Sequence, residues 1–217
     1  MRPTQSEIIR RHRPLVVLLG PTAVGKSAVA IPVARHFGTE ILTADSRQVY
    51  RGMDIGTDKP TPDERQGVPH RLIDLVEPDE AYNTGRYRRD ARQEIERLLG
   101  EGRIPLVVGG TGLYIRTLVR GICDAPEADP AIRLELATLV AAKGREALYA
   151  ELQRVDPVTA AKLHPNDESK VIRALEVYRL AGCSLADLQA RHGFQGAEYV
   201  PLLIGLQRPR ESLYRRI

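Results

Sequence analysis

Residues 15–27 read Leu15-Val16-Val17-Leu18-Leu19-Gly20-Pro21-Thr22-Ala23-Val24-Gly25-Lys26-Ser27, and this stretch decides the fold. The first five residues form an apolar run that predicts a strand buried on both faces. Residues 26–37 are rich in Ala and Val and are followed by Gly38, which predicts a helix with a glycine after its end. The turn between them has the G-x-x-x-x-G-K-[ST] spacing, in which backbone N–H groups and a helix N-terminus can hold an anion. The stretch therefore predicts a strand, a phosphate-binding loop and a helix.

Two side chains at the end of this loop would complete a phosphate site. Lys26 supplies a mobile positive charge, and the Ser27 hydroxyl can hold Mg²⁺. The alternative is a chance match in an ordinary turn. The chain has only five lysines against 27 arginines, so a lysine at this position favours a site where guanidinium would not substitute.

Composition indicates a soluble globular protein. The 217 residues are 42% hydrophobic and 28% charged, and the net charge of +4 suits a polyanionic partner without demanding one. Cys123 and Cys183 are far apart and lack metal-ligand spacing, so we expect reduced thiols in the cytoplasm. The apolar run at 15–19 is too short for a signal peptide or a membrane span, and we expect no membrane contact. Residues 1–14 are polar and basic and are expected to form a solvated tail.

Two further buried strands are predicted to end beside the phosphate loop. The run 40–44 is followed by Asp45, and the run 104–108 is followed by Gly109-Gly110-Thr111-Gly112. The carboxyl ends of parallel strands meet at one edge of an open α/β sheet, so Lys26, Asp45 and Thr111 are expected to face a common crevice. Asp45 could hold magnesium through water or accept a proton there, or it could instead cap a helix beginning at Ser46.

The remaining sequence predicts an insertion between core elements. Residues 69–76 predict a short alternating strand. His70 could be catalytic, but no Cys or Ser partner is suggested nearby, which favours a structural or orienting role. Thr84 is the expected N-cap of a helix that reaches Gly100. Residues 129–192 have helical periodicity interrupted by Pro and Gly, and residues 199–206 are again strand-like. We therefore expect a helical insertion at 121–198 and a return to the sheet at 199–217, with the core formed by residues 1–120.

Five ordered motifs resemble the tRNA dimethylallyltransferase family, and the resemblance runs from the phosphate loop to the C-terminus, through His164-Pro165-Asn166-Asp167 and Arg173-Ala174-Leu175-Glu176. The motifs are Gly20 to Ser27, Asp45-Ser46-Arg47-Gln48-Val49-Tyr50, Gly52-Met53-Asp54-Ile55-Gly56-Thr57-Asp58-Lys59-Pro60, Pro69-His70-Arg71-Leu72 and Gly109-Gly110-Thr111-Gly112-Leu113-Tyr114.

The resemblance implies a P-loop NTPase-like α/β fold, a parallel sheet flanked by helices with a small all-helical insertion that binds tRNA. It implies transfer of a dimethylallyl group from dimethylallyl diphosphate to N6 of the adenosine adjacent to the tRNA anticodon, with Mg²⁺ as cofactor, in a cytoplasmic monomer. By matching positions, Asp45 is the general base and Thr111 lies beside the reacting centre. The diphosphate would be bound by Gly20, Pro21, Thr22, Ala23, Val24, Gly25, Lys26 and Ser27. The tRNA would be bound by Asp45, Ser46, Arg47, Gln48, Thr111, Arg133, Ser169, Lys170, Val171, Ile172 and Arg173.

This chain departs from the family pattern in two ways. Lys170 stands where the family more often has Arg, which keeps the charge but loses a bidentate donor. The chain ends at Ile217, whereas family members continue through further basic helices, so the resemblance implies an N-terminal fragment. The alternatives are a P-loop small-molecule or nucleotide kinase, an adenylate isopentenyltransferase, and a non-catalytic nucleotide-regulated tRNA-binding module.

Overall fold

The computed structural model describes residues 4–194 and 198–216. These residues divide into two units. The first unit contains residues 4–121 and 198–216, and the second contains residues 122–194.

The sheet of the first unit is parallel throughout its described part. Its strands lie in the order β3-β2-β4-β1-β5. They are β1 (Pro14–Leu19), β2 (Ile41–Ala44), β3 (His70–Arg71), β4 (Leu106–Gly109) and β5 (Val200–Gly205). The predicted parallel α/β sheet, including the return of the last strand, is confirmed.

Strand register brings three strand ends to one level. Leu19 of β1 and Ala44 of β2 both pair with Gly109 of β4, which lies between them. A Cβ atom on Gly109 would lie 2.1 Å from the Ala44 carbonyl oxygen, so only glycine permits this close approach. The residues that follow the three strands therefore leave the sheet side by side.

Helices flank the sheet and build the second unit. In chain order they are α1 (Gln5–His12), α2 (Lys26–His36), α3 (Pro62–Arg65), α4 (Thr84–Gly100), α5 (Gly112–Arg120), α6 (Pro130–Val155), α7 (Pro157–Ala160), α8 (Glu168–Ala181), α9 (Leu185–His192) and α10 (Arg210–Tyr214). The second unit holds α6 to α9.

Each face of the sheet packs against its own helices. On one face, α1, α4 and α5 cover strand residues such as Val17, Leu42 and Val107. On the other face, α2 covers Leu18, Ile41 and Val108. The strands are apolar on both sides because both sides are covered, as expected for a parallel sheet.

The N-terminal residues form a helix, so the expected solvated tail was wrong for residues 5–12. Thr4 and Glu7 form a capping box, in which each side chain binds the backbone N–H of the other residue. Ile9 is buried in the core, and Arg10 donates to the Gly100 carbonyl at 2.7 Å. The cap, the buried Ile9 and the Arg10 hydrogen bond together stabilise this polar segment as a helix.

Two local predictions also need correction. The expected strand at 69–76 pairs with β2 only at His70–Arg71, because Leu72 and Asp74 have φ values of 62° and 57° and turn the chain out of the sheet. Val76 forms a separate bridge to Tyr50. Asn83, and not Thr84, caps α4, since its side chain accepts the Arg86 N–H at 2.9 Å.

The described part of the second unit contains helices and no strand, as predicted. Its core includes Leu136, Leu148, Leu152 and Leu175. Gly144, with φ 81° and ψ 167°, kinks α6. Of the helices in the described residues, none is long and apolar enough to cross a membrane.

Candidate active site

The phosphate loop of residues 20–27 connects β1 to α2. Gly25 precedes the helix with φ 102°, and Ala23 also has a positive φ of 63°. At Gly20, a Cβ atom would lie 2.9 Å from the Leu206 carbonyl oxygen. The two glycines of the motif are thus required by backbone conformation at Gly25 and by close approach at Gly20.

The Lys26 ammonium lies at the start of this loop. It donates to the carbonyl oxygens of Gly20 at 3.0 Å and Pro21 at 2.9 Å. Burial lowers the pKa of Lys26, and the negative charges of Asp45 and Asp58 act in the opposite direction. The loop therefore carries a partly desolvated cation that lies within electrostatic range of the Asp45 carboxylate.

Asp45 follows β2 and closes a turn. Its Oδ1 atom accepts the N–H groups of Arg47 at 2.8 Å and Gln48 at 3.3 Å. No helix begins there, since residues 46–49 form a turn, so the helix-cap alternative was wrong. The Oδ2 atom accepts no hydrogen bond from residues 4–194 or 198–216. One carboxylate oxygen thus fixes the backbone, and the other is free to bind a ligand or a proton.

Thr111 ties the end of β4 to this turn. Its N–H donates to the Ala44 carbonyl at 3.1 Å, and its hydroxyl oxygen accepts the Ser46 N–H at 3.0 Å. Thr111 therefore holds the residue next to Asp45.

A buried lysine, which the sequence reasoning missed as a functional candidate, organises the loop after this turn. Lys59 has a side chain only 3% exposed and donates to Asp54 at 2.6 Å, Asp74 at 2.7 Å and the Tyr50 carbonyl at 2.7 Å. Burial opposes its charge, but the hydrogen bonds to the two carboxylates outweigh it and raise the pKa of Lys59. The scarcity of lysine that marks Lys26 could have marked Lys59 too.

Gln48 joins that loop to the Asp45 turn. Its Nε2 donates to the carbonyl oxygens of Thr57 at 3.1 Å and Asp58 at 3.0 Å. Arg47 and residues 52–57 of the loop line an open cavity of about 480 Å³. Arg47 is therefore accessible, and Gln48 is engaged with the backbone.

A small cavity of about 50 Å³ brings the predicted phosphate and base residues together. Its polar lining includes Lys26, Ser27, Asp45 and Gln48. The rest of its lining is Ala30, Ile41, Thr43, Pro60, His70, Val108 and Gly109. The cavity thus places cationic and anionic groups beside aliphatic walls.

His70 is part of that lining. Its Nδ1 lies 2.9 Å from the Val68 carbonyl oxygen, which can only accept, so Nδ1 carries the hydrogen. Burial lowers the pKa of His70, which favours the neutral ring. This contact holds the ring in place and agrees with a structural or orienting histidine.

Oxygen donors near the loop fit a magnesium ion bound mainly through phosphate and water. Residues 4–194 and 198–216 contain no group of three or more His, Cys, Asp or Glu residues that could hold a metal. The Ser27 hydroxyl and the Asp45 carboxylate line the same cavity. Mg²⁺ needs few protein ligands when substrate phosphates supply the others.

The residues that the resemblance assigned to tRNA lie partly in the second unit. Arg133 donates to both carboxylate oxygens of Glu176, at 2.8 and 3.2 Å, and Arg173 donates to Glu176 at 2.6 Å. Glu176 is fully buried, and its pKa is lowered because these hydrogen bonds outweigh the effect of burial. The two arginines therefore neutralise a core carboxylate, whatever else they bind.

The other assigned residues are on α8. Lys170 is 67% exposed and pairs with Asp167, whereas the Val171 side chain is only 1% exposed and packs in the core. Ser169 lies in the first turn, and Ile172 packs against the core from a half-buried position. Among these four residues, Lys170 is the one that has a charged and exposed side chain.

Comparisons with known proteins show which family the chain belongs to. A model of the IPP transferase family matches residues 48–217, and a model of isopentenyl transferases matches residues 14–77. The chain is 50% identical over 207 residues to tRNA dimethylallyltransferase 1 of Syntrophotalea carbinolica, covering 95% of this chain and 66% of that protein. It is 47% identical over 211 residues to the tRNA dimethylallyltransferase of Thermomicrobium roseum, covering 96% and 63%.

Solved structures agree as well. The full-length tRNA isopentenylpyrophosphate transferase of Bacillus halodurans is 38% identical with a TM-score of 0.60, covering 94% of this chain and 63% of that one. A eukaryotic dimethylallyltransferase crystallised acting on tRNA is 31% identical with a TM-score of 0.81, covering 94% and 50%. The chain spans 60–66% of the length of the first curated relatives. Since the family model matches well over half of the sequence, the chain belongs to the IPP transferase family.

Proposed function

We propose that this protein transfers a dimethylallyl group from dimethylallyl diphosphate to N6 of the adenosine adjacent to the anticodon of tRNA. One observation carries the proposal. The Lys26 ammonium and the Asp45 carboxylate line one cavity whose other walls include Ala30, Ile41 and Val108. A cation to bind diphosphate, a carboxylate to accept the proton that N6 loses, and aliphatic side chains to contact the allyl tail thus lie close together.

Lys26 and the phosphate loop would act on the leaving group. The bond between the allylic carbon and the diphosphate oxygen breaks while N6 forms its bond to that carbon, and diphosphate is released. An adenine amine is a weak nucleophile, so stabilising the departing negative charge lowers the barrier most. The partly buried ammonium and the N-terminus of α2 are suited to that task.

Asp45 would accept the proton that N6 loses. Oδ1 is already bound to the turn, so Oδ2 is the acceptor. Thr111 binds the N–H of Ser46 and so keeps that turn in place. Its role beside the reacting centre would therefore be to position Asp45, and not to react with the substrate itself.

Magnesium would be held by the Ser27 hydroxyl, with Asp45 nearby, and would neutralise part of the charge of the diphosphate.

The target base of the tRNA lies in a single-stranded loop and can be turned out of the stack at low cost. Arg47, Lys170 and the arginines at 133 and 173 are the proposed cationic contacts. A tRNA substrate places the reaction in the cytoplasm, and we propose that the protein acts as a monomer.

The test is product analysis. The protein is incubated with dimethylallyl diphosphate, Mg²⁺ and unmodified tRNA, and the digested nucleosides are separated and weighed by mass spectrometry. We expect adenosine carrying one dimethylallyl group at N6. Parallel reactions contain AMP as acceptor, or ATP with small hydroxylated acceptors. Transfer to AMP but not to tRNA would favour an adenylate isopentenyltransferase, and phosphoryl transfer from ATP would favour a kinase.

A further inference from the structure

The chain that follows β5 returns to the phosphate loop. The Leu206 N–H donates to the Leu19 carbonyl at 2.8 Å, directly before the loop begins. The Leu206 carbonyl oxygen lies 2.9 Å from the position that a Cβ atom on Gly20 would take. Leu206 therefore lies directly beside the start of the loop.

Two arginines of this returning segment bind the loop backbone. Arg208 Nε donates to the Val24 carbonyl at 2.8 Å, and Arg216 Nε donates to the Ala23 carbonyl at 3.0 Å. They flank α10, which brings them to adjacent peptide groups of the loop. Both are separated from the loop by more than 180 residues in sequence.

These hydrogen bonds constrain the direction of the loop's N–H groups. In a planar trans peptide the C=O and N–H point in opposite directions. Because Arg208 binds the Val24 carbonyl, the N–H of Gly25 in the same peptide points away from the Arg208 guanidinium. Ala23 at φ 63° needs such support, because a residue with a side chain rarely adopts this conformation.

We infer that Arg208 and Arg216 are positioning residues that fix the phosphate loop in its diphosphate-binding conformation. The inference rests on the proposed function, because it takes residues 20–27 as the diphosphate site. Each arginine acts through a backbone carbonyl, and neither needs to touch the diphosphate. The hydrogen bond from Nε, and not the charge of the guanidinium, is the feature that matters.

Paired variants separate the hydrogen bond from the charge. Glutamine has an amide nitrogen at the position of arginine Nε, whereas methionine has a methyl carbon there, and both are neutral. Binding of inorganic diphosphate in the presence of Mg²⁺ is measured by calorimetry for Arg208→Gln, Arg208→Met and the same two changes at Arg216. Arg11→Met, at an exposed position on α1, is the control for loss of one charge.

We expect Arg208→Met and Arg216→Met each to weaken diphosphate binding about tenfold, and the glutamine variants to stay within about threefold of the wild type. The glutamine and methionine variants should have similar melting temperatures without ligand, so that affinity and not folding distinguishes them. If one methionine variant fails to fold, the pair at the other arginine decides.

Two results would overturn the inference: unchanged affinity in both methionine variants, or equal losses in the glutamine and methionine variants, which would assign the effect to charge. A wild-type chain that binds no diphosphate would contradict the proposed function itself, and the inference with it.

Discussion

The Tyr87 hydroxyl is buried and has no hydrogen-bond partner among the described residues. Its ring stacks on Tyr114 with centroids 4.0 Å apart, so the aromatic part stabilises the core while the hydroxyl is desolvated without compensation. We expect Tyr87→Phe to raise the free energy of unfolding by about 1 kcal/mol, measured by urea denaturation.

Tyr82 provides the matched control for this prediction. Its hydroxyl donates to Asp90 at 2.8 Å, so Tyr82→Phe removes a hydrogen bond and should lower the free energy of unfolding by about 1 kcal/mol. A destabilised Tyr87→Phe variant would show that the Tyr87 hydroxyl does contribute to the folded state.

Asp45 has an observed role in the turn and a proposed role as the acceptor of the N6 proton. Asn at this position keeps an acceptor oxygen for the N–H groups of Arg47 and Gln48, whereas Ala removes it. We expect both variants to lower the transfer rate by about 10²-fold or more, and only Asp45→Ala to lose about 1 kcal/mol of stability. The measurements are single-turnover transfer to tRNA and thermal melting. Unchanged turnover in Asp45→Asn would mean that the carboxylate stabilises the turn and takes no part in catalysis.

At the scale of elements, β2 begins beside a buried carboxylate with three arginine partners. Glu40 has a side chain 6% exposed and accepts hydrogen bonds from Arg71 at 2.7 Å, Arg97 at 2.8 Å and Arg103 at 2.9 Å. Burial raises its pKa, but the three hydrogen bonds outweigh it and lower the pKa of Glu40 to about 2. The network joins the starts of β2 and β4 to β3 and the end of α4.

This network makes the stability of the first unit depend on pH. A carboxyl whose pKa is lower in the folded state stabilises the fold above its unfolded pKa of about 4.3, and the stabilisation is lost as the pH falls toward 2. We expect Glu40→Gln to cost about 2–3 kcal/mol at pH 7. The difference in the free energy of unfolding between this variant and the wild type should become smaller as the pH falls from about 4.5 to 2. Urea titrations across this range test it, with the exposed Glu211→Gln as control; a difference independent of pH would argue against the network.

Helix α8 carries two cations with different surroundings. Lys170 is largely exposed, whereas Arg173 pairs with the buried Glu176 and donates to the Pro126 carbonyl at 2.6 Å. If Lys170 meets a tRNA phosphate, Lys170→Met should reduce the slope of log affinity against log salt by about one unit or less, with little loss of stability. Arg173→Met should also destabilise the second unit, by about 2 kcal/mol. Filter binding at several salt concentrations and thermal melting measure the two effects. An unchanged salt slope in Lys170→Met would remove Lys170 from the tRNA interface.

At the scale of the whole molecule, the sequence predicted the features set by local rules. The strands before Gly20, Asp45 and Thr111 can be predicted from sequence because buried parallel strands are continuously apolar and end at one edge of the sheet. The same reasoning missed α1, because its polar composition concealed the Thr4 capping box. It also missed the partners of Lys59 and Arg208, since these contacts join residues that only the tertiary fold brings together.

A last prediction concerns which phosphate ligand stabilises the fold. A ligand that binds only the folded state raises stability by RT ln(1 + [L]/Kd), so the tighter ligand gives the larger shift in melting temperature. A kinase would require a triphosphate, whereas an allyl transferase requires a diphosphate and an aliphatic wall such as Ala30, Ile41 and Val108 provide. We therefore expect dimethylallyl diphosphate with Mg²⁺ to raise the melting temperature of the first unit more than ATP does at equal concentration.

The comparison uses alanine variants of two lysines, one in the phosphate loop and one at an exposed position in the second unit. Lys26→Ala should abolish the difference between the ligands, because it removes the cation that we propose binds the diphosphate. Lys162→Ala, at an exposed position in the second unit, should preserve it. The loop and the cavity consist of residues of the first unit, so calorimetry should show the shift in the transition in which that unit unfolds. A larger shift with ATP, together with ATP hydrolysis that depends on a small hydroxylated acceptor, would favour the kinase and overturn the transferase.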